Sequence, residues 1–321
     1  MSKRKVAILG ASGVGKHHAK WFHLAGCEVV ALAGTSEETC AAAADGLREI
    51  FPFDGKAYIG ISEMLQQETP DMVSICTPPH LHADHIILCL EAGCQVLCEK
   101  PLHWLPGKSL KEHEADLQRI AEAQSRTRPF ACNLQFATCG DAYRDIFKEV
   151  TGVELGAPEK FSMQWTPRPG RDHPKEWFWN DLGPHALSVV MKLVTNPTLV
   201  KESIDCRVGE GGTYATFTVN SENGSPCEVN FQLTPPPGGE VIRRLGANDF
   251  VVDYAARADD EGMFHTYFKH GEQEWQFEDF MKASIEGFID WANGEADRPY
   301  VTGDEAAANL QMQLEIFERA S

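Results

Sequence analysis

An apolar run, Lys5–Leu9, passes without a break into Gly10-Ala11-Ser12-Gly13-Val14-Gly15, and a helical stretch follows over 17–25. Few folds admit that order of strand, glycine turn and helix. Glycines let the backbone turn tightly and come close to a bound group. The N-terminus of the next helix favours an anion such as a pyrophosphate. The loop therefore predicts a dinucleotide site through Gly10, Ser12, Gly13, Val14 and Gly15. It departs from G-x-G-x-x-G, because Ser12 holds the second glycine position and an added glycine stands at 13. An ordinary glycine-rich turn is the competing reading, and the flanking strand and helix favour the cofactor.

The same alternation runs on through the first 130 residues. Apolar strands are expected at 28–33, 57–59, 72–76 and 95–98, with a sixth opening at Pro129. Helices are expected at 37–49, 62–67, 82–92 and 105–124. Near-continuous apolar strands separated by helices indicate a parallel sheet covered on both faces. After about residue 155 the pattern changes to alternating segments at 160–166, 213–219, 227–233, 240–245, 250–254 and 264–268. Turn residues such as Asn223-Gly224 lie between them, so a largely antiparallel sheet is expected. One helix, 182–194, lies early in this half, and two more, 278–293 and 304–318, come last. The reading is α/β: a Rossmann domain over 1–128, then an α+β domain with a large, mainly antiparallel open sheet over 129–321. The closing helix is available to pack back on the first domain.

A length of 321 residues suits two such cores. The formal charge of −18 argues against nucleic acid or an anionic membrane as partner, since both call for basic surface. No stretch approaches the roughly 20 apolar residues of a membrane span, and nothing argues for export, so a cytoplasmic protein is expected. The ten cysteines form no C-x-x-C pair and several sit in apolar runs, where they read as small buried hydrophobes.

Four further motifs carry chemistry. The second strand ends at Gly34-Thr35-Ser36, where an NAD-preferring fold usually places a carboxylate for the ribose 2′-hydroxyl. Gly34 offers none, and Thr35 and Ser36 offer hydroxyls, which favours NADP(H) over NAD(H). Cys76-Thr77-Pro78-Pro79-His80-Leu81-His82 stands at the C-terminal end of a strand, the edge that lines the ligand crevice in an open parallel sheet. His80, His82 and His85 do not share one helical face, so no metal is expected. Glu99-Lys100-Pro101 ends the next strand and brings a lysine to the same edge, as an acid–base group or as a solvated loop residue. In Asp181-Leu-Gly-Pro-His185 the i, i+4 spacing puts both side chains on one face if the helix has begun. A helix opening at Pro184 would instead leave Asp181 as a cap.

Together these segments resemble the glucose–fructose oxidoreductase/inositol dehydrogenase (Gfo/Idh/MocA) family. Thr77-Pro78, His82, Ala92-Gly93 and Glu99-Lys100-Pro101 stand at its spacing, Asp181-x-Gly183-x-His185 matches its second signature, and Val301-Thr302-Gly303-Asp304-Glu305-Ala306 fits its tail. The resemblance implies that Lys100 binds a substrate hydroxyl and assists proton transfer, that His185 is the acid–base group, and that Asp181 is its companion. It places Thr77, Pro78, His82 and Glu99 at the nicotinamide end. It also implies a small-molecule substrate, a carbinol in a sugar, polyol or cyclic alcohol, and a homodimer or homotetramer built on the open sheet. An NAD-dependent glycosidase, an imine or dihydrodiol reductase, and a non-catalytic cofactor-sensing regulator are the alternatives within the resemblance.

Two places depart from the family pattern. Ser188 stands where an aspartate is common, and the 133–137 segment lacks the usual arginine. A basic and aromatic block, 168–180, leads into the Asp181 motif. Arg168 and Arg171 are candidates to hold a carboxylate or phosphate, and Trp177 and Trp179 to stack on a ring. A solvated loop with a tryptophan plugged into the core is the competing reading.

Overall fold

The computed structural model describes residues 3–167, 176–260 and 263–320. The chain divides into two compact units. The first is Met1–Leu134 with Ser284–Ala308, and the second is Gln135–Ala283 with the stretch from Asn309 onward. The expected cut at 128/129 is thus moved and doubled. The sixth strand, Ala131–Asn133, pairs with the fifth, and Cys132 N–H donates to the Val301 carbonyl at 3.1 Å. Phe22 meets Phe288 edge-on at 6.1 Å, so the 284–308 stretch completes the core of the first unit.

In the first unit, β1 (Lys5–Leu9), β2 (Glu28–Gly34), β3 (Lys56–Ile59), β4 (Met72–Ile75), β5 (Gln95–Glu99) and β6 (Ala131–Asn133) form one parallel sheet in the order β3-β2-β1-β4-β5-β6. The helices between them are α1 (Gly15–Leu24), α2 (Glu37–Arg48), α3 (Ile61–Glu68), α4 (His82–Glu91) and α5 (Leu110–Arg126). Val6, Ala7, Ile8, Ile75 and Val96 are wholly buried, which is why these strands read as unbroken apolar runs. The order reverses between β1 and β4, the switch point where an open α/β sheet binds ligands beyond its strand ends. Helix α5 begins five residues later than its apolar pattern suggested. Ser109 and Glu112 form a capping box there, so cap chemistry sets the start.

The second unit holds α6 (Ala137–Thr151), β7 (Lys160–Trp165), α7 (Gly183–Leu193) and a run of strands. These are β8 (Thr198–Gly209), β9 (Gly212–Asn220), β10 (Pro226–Leu233), β11 (Arg243–Ala247), β12 (Phe250–Ala258), β13 (Phe264–His270) and β14 (Gln273–Glu278). Helix α8 (Phe280–Asn293) carries the chain into the first unit and α9 (Gly303–Phe317) brings it back. The eight strands form one sheet in the order β14-β13-β12-β11-β7-β10-β9-β8, antiparallel except for β7 beside β10. Alternation sets its faces: Phe161, Met163 and Trp165 are buried, whereas Lys160 and Ser162 are exposed. No described helix is long and apolar enough to cross a membrane.

Candidate active site

Three of the predicted motifs meet along one edge of the first sheet, because β1, β4 and β5 are parallel neighbours ending at the same level. Gly10 has φ +81°, and its N–H donates to Ala33 at 3.0 Å. A Cβ there would lie 2.8 Å from the Cys76 carbonyl oxygen, and one on Gly15 would lie 2.3 Å from that of Gly10. Both glycines are thus demanded by the protein's own backbone. Gly13 differs: it is exposed and a Cβ would meet nothing within 4 Å. Ser12 and Gly13 form the open lip of the loop at the start of α1, with Val14 half-buried beside them. These residues fit a pyrophosphate, whose close approach is the remaining reason for a glycine at 13. A Gly13→Ala variant is expected to melt like the wild type yet bind reduced cofactor about tenfold more weakly. Fluorescence titration with NADH and NADPH checks this, and an unchanged affinity for both would mean that no phosphate passes over residue 13.

Glu99 is not presented to a ligand. It is 6% exposed and sits in a buried polar network. His18 Nε2 lies 2.8 Å from Glu99 Oε1, and His18 Nδ1 lies 2.8 Å from Ser74 Oγ. Asn133 Nδ2 donates to Glu99 Oε1 at 2.5 Å, and the Lys100 N–H donates to Glu99 Oε2 at 3.1 Å. Burial opposes charge on both partners, but each holds the other ionised. The Glu99 carboxyl is pulled down to about 2, and the His18 imidazole is held up at about 10 by Cys76 and Glu99. The network joins α1, directly after the glycine loop, to the strand end that carries Lys100. Sequence reading missed His18, Ser74 and Asn133. The one available signal was His18 standing three residues after Gly15, on the inward face of α1.

His82 is likewise wholly buried. Its Nε2 lies 2.7 Å from the Thr77 carbonyl oxygen and its Nδ1 lies 3.0 Å from that of Pro101, and burial pulls its pKa below the usual value. It clasps the loop after β4 to the turn after β5. The Lys100–Pro101 peptide in that turn is cis. Thr77 Oγ1 lies 2.9 Å from His85 Nδ1, whose pKa burial draws down to about 4. Pro78 and His80 are exposed, and no group of metal-ligating side chains forms among the described residues. At the end of β2, a Cβ on Gly34 would sit 2.9 Å from Cys40 Sγ. Ser36 caps α2, its Oγ accepting the Thr39 N–H at 3.2 Å, while Thr35 remains exposed. The first turn of α2 also carries Glu37 and Glu38.

In the second unit, α7 opens at Gly183 with Pro184 in its first turn, as expected. A π-helical turn, Phe178–Leu182, runs straight into it. Asp181 is therefore already in helical backbone, and the residue at the cap position, Leu182, makes no side-chain capping bond. His185 is 5% exposed. Its ring lies 4.8 Å from that of Phe136 and 5.6 Å from that of Trp165. Ser188 turns its hydroxyl back to the His185 carbonyl at 2.7 Å. The 133–137 segment, lacking arginine, supplies Phe136 to this aromatic cluster. Trp179 does not stack on a ligand: it is wholly buried, and its indole N–H donates to the Gln313 carbonyl at 3.0 Å. Trp177 is half-buried and meets Phe178 edge-on. Arg168 and Arg171 lie outside the described residues.

The cation that the structure does place in this cluster, Arg243, was not singled out from sequence. Its guanidinium lies 5.9 Å from the Trp165 ring and 5.5 Å from the Tyr254 ring. Burial pushes the Tyr254 hydroxyl up to about 12, with Arg243 pulling the other way.

Residues 4–126 match the GFO_IDH_MocA model, described as an oxidoreductase family with an NAD-binding Rossmann fold. Over these residues the chain is similar to that family. It is 35% identical over 102 residues to the D-glucoside 3-dehydrogenase of Escherichia coli (strain K12), a match covering 31% of this chain and 28% of that protein. The chain thus spans well under two thirds of that relative's length. Two solved structures share its fold end to end. A 3-ketoreductase from Actinomadura kijaniata in complex with TDP-benzene and NADP is 15% identical, with TM-score 0.69 and coverage of 99% and 98%. A dehydrogenase from Bordetella pertussis in complex with NADH and UDP-GlcNAcA is 16% identical, with TM-score 0.68 and coverage of 99% and 96%.

Proposed function

We propose that this chain is a cytoplasmic NAD(P)-dependent dehydrogenase or reductase acting on a carbinol carbon of a sugar, polyol or related cyclic alcohol. The observation that carries the reading is the glycine cradle at the switch point, with Lys100 fixed at the neighbouring strand end. The nicotinamide, when bound, accepts or returns the hydride. As hydride leaves, the hydroxyl proton must go, and His185 is the base that takes it. Lys100 steadies the developing alkoxide with its ammonium, and Asp181 orients the histidine. Thr77 and Pro78 line the nicotinamide end, while Glu99 and His82 act from behind, holding Lys100 and the loops in place. The relative that acts on a D-glucoside supports the substrate class.

NADP(H) remains the proposed cofactor, because Gly34 puts no carboxylate at the ribose and Thr35 is exposed there. Ser36 drops out as a ligand, being engaged as a cap, and Glu37 and Glu38 oppose a phosphate. The preference is therefore expected to be modest, about tenfold or less in Kd. Titration with both reduced cofactors checks it, and tighter NADH would reverse it. A screen of sugars, polyols, their ketones and imines, followed by nicotinamide absorbance, tests the reaction itself. Turnover of none of them would leave the regulatory reading. The polar open face of the sheet is proposed to pair copies into a homodimer or homotetramer, which light scattering reads directly.

A further inference from the structure

His185 hangs from the first turn of α7, and the backbone entering that turn holds itself weakly. A π-helical turn, Phe178–Leu182, precedes it, a geometry rarely stable by itself and common at functional sites. Pro184 then brings no N–H to bond backwards. Helix α9 supplies the hold, from residues of the same compact unit. Asn309 and Gln313 stand four residues apart, so they share one face of α9, and they are 2% and 0% exposed. Asn309 Nδ2 donates at 3.0 Å to the carbonyl of Pro184, the residue before His185. Gln313 Nε2 donates to the Trp179 carbonyl at 3.3 Å, and the Trp179 indole N–H donates back to the Gln313 carbonyl at 3.0 Å. The indole also lies over Gly183, where a Cβ would sit 3.2 Å from the ring. The glycine between Asp181 and His185 thus makes room for the tryptophan that α9 holds.

Stability alone is a poor account of these amides. Gln313 Oε1 is buried and has no hydrogen-bond partner among the described residues. An unpaired buried acceptor costs more than an apolar side chain of the same shape, so methionine would serve the core at least as well. What glutamine adds is a directed bond to the π turn. Relaxation of that turn to ordinary α-helical bonding would rotate Asp181 relative to His185.

We infer that Asn309 and Gln313 are positioning residues, which hold Pro184 and Trp179 and through them fix the imidazole of His185 among its aromatic neighbours. The inference rests on the reading that His185 takes the substrate proton. It is tested by NMR on the full chain with its histidines labelled at Cε1, the His185 resonance being assigned by its loss in His185→Gln. The His185 ring lies 4.8 Å from that of Phe136 and 5.6 Å from that of Trp165, so ring currents displace this resonance in the wild type. Most of the displacement is expected to be lost in Gln313→Met and in Asn309→Leu. Gln313→Met should nevertheless melt within about 2 °C of the wild type, since it keeps the volume and removes an unpaired acceptor. Asn309→Leu should melt about 2 to 4 °C lower, for one lost hydrogen bond. Trp179→Phe keeps a ring over Gly183 and loses the indole N–H. It is expected to move the resonance part of the way, and it decides the matter if a substitution on α9 fails to fold. A resonance unmoved in Gln313→Met would overturn the inference for Gln313, and one unmoved in Asn309→Leu would overturn it for Asn309, leaving that amide as core packing. A His185→Gln protein with full turnover in the sugar and polyol screen would instead remove the proton-transfer reading, and the resonance result would stand apart from it.

Discussion

Replacing Lys100 by methionine is expected to lower turnover by about a hundredfold to ten-thousandfold, the usual worth of a positioned proton-transfer group, while NADPH still binds within about threefold of wild type. The backbone around the residue is why the two effects should separate. The Lys100 N–H is held by Glu99, and the carbonyl of Pro101 is held by His82. Neither bond involves the ammonium. Methionine keeps the unbranched stem and removes only the charge, so the turn should persist. Initial rates and a fluorescence titration on one preparation check both halves. Full turnover in the variant would remove Lys100 from the chemistry, and loss of cofactor binding would recast it as a cofactor ligand.

The second large effect concerns the buried pair beneath that lysine. Glu99→Leu leaves His18 without its counter-charge in a site where it has no exposure, and removing one partner of a buried pair typically costs about 3 to 5 kcal/mol. The loss should depend on pH in a defined way. Glu99 is held at about 2, below its ordinary 4.5, so its contribution is complete above 4.5 and fades as pH falls towards 2. His18 is held at about 10, above its ordinary 6.5, so its contribution is complete below 6.5 and fades as pH rises towards 10. The stability gap between wild type and variant, from urea unfolding, should therefore be widest near pH 4.5 to 6.5 and narrow on both sides. A gap constant from pH 4 to 10 would mean that the pair is not ionised.

How much of this was legible in the sequence varied with how each element is held. The first sheet was legible because its strands, except the edge strand β3, are buried on both faces. The second was legible where one face is buried, as in 227–233, and not at its margins. Strand β8 escaped notice because its register shifts between Val200 and Asp205 and Cys206 is its one buried residue. Strand β14 is a sheet edge with no buried residue. Helix α6 was missed for another reason. Its first turns bury the small residues Ala137, Cys139, Gly140 and Ala142, and only Tyr143 and Ile146 add large apolar side chains to that face, so its apolar stripe is short; Gly140 is required because a Cβ would lie 2.6 Å from Lys192. For the proposed chemistry, spacing singled out Lys100, His185 and the glycines of the loop. It could not distinguish residues offered to a ligand from those holding the offering loops. Glu99, His82 and Trp179 belong to the second kind, and only burial and hydrogen-bond partners reveal it.

The return of 284–308 to the first unit makes residues 135–283 of the second unit a long insertion within the first. A ribosome reading this chain releases the whole parallel sheet before it makes Val301, which Cys132 needs, and Phe288, which Phe22 needs. Until then the nascent cofactor-binding half has an open flank, so a fragment stopping near residue 134 should aggregate or stay loose. Joining 134 to 284 through a short linker, leaving out the insertion, is the minimal design expected to give that half a closed core.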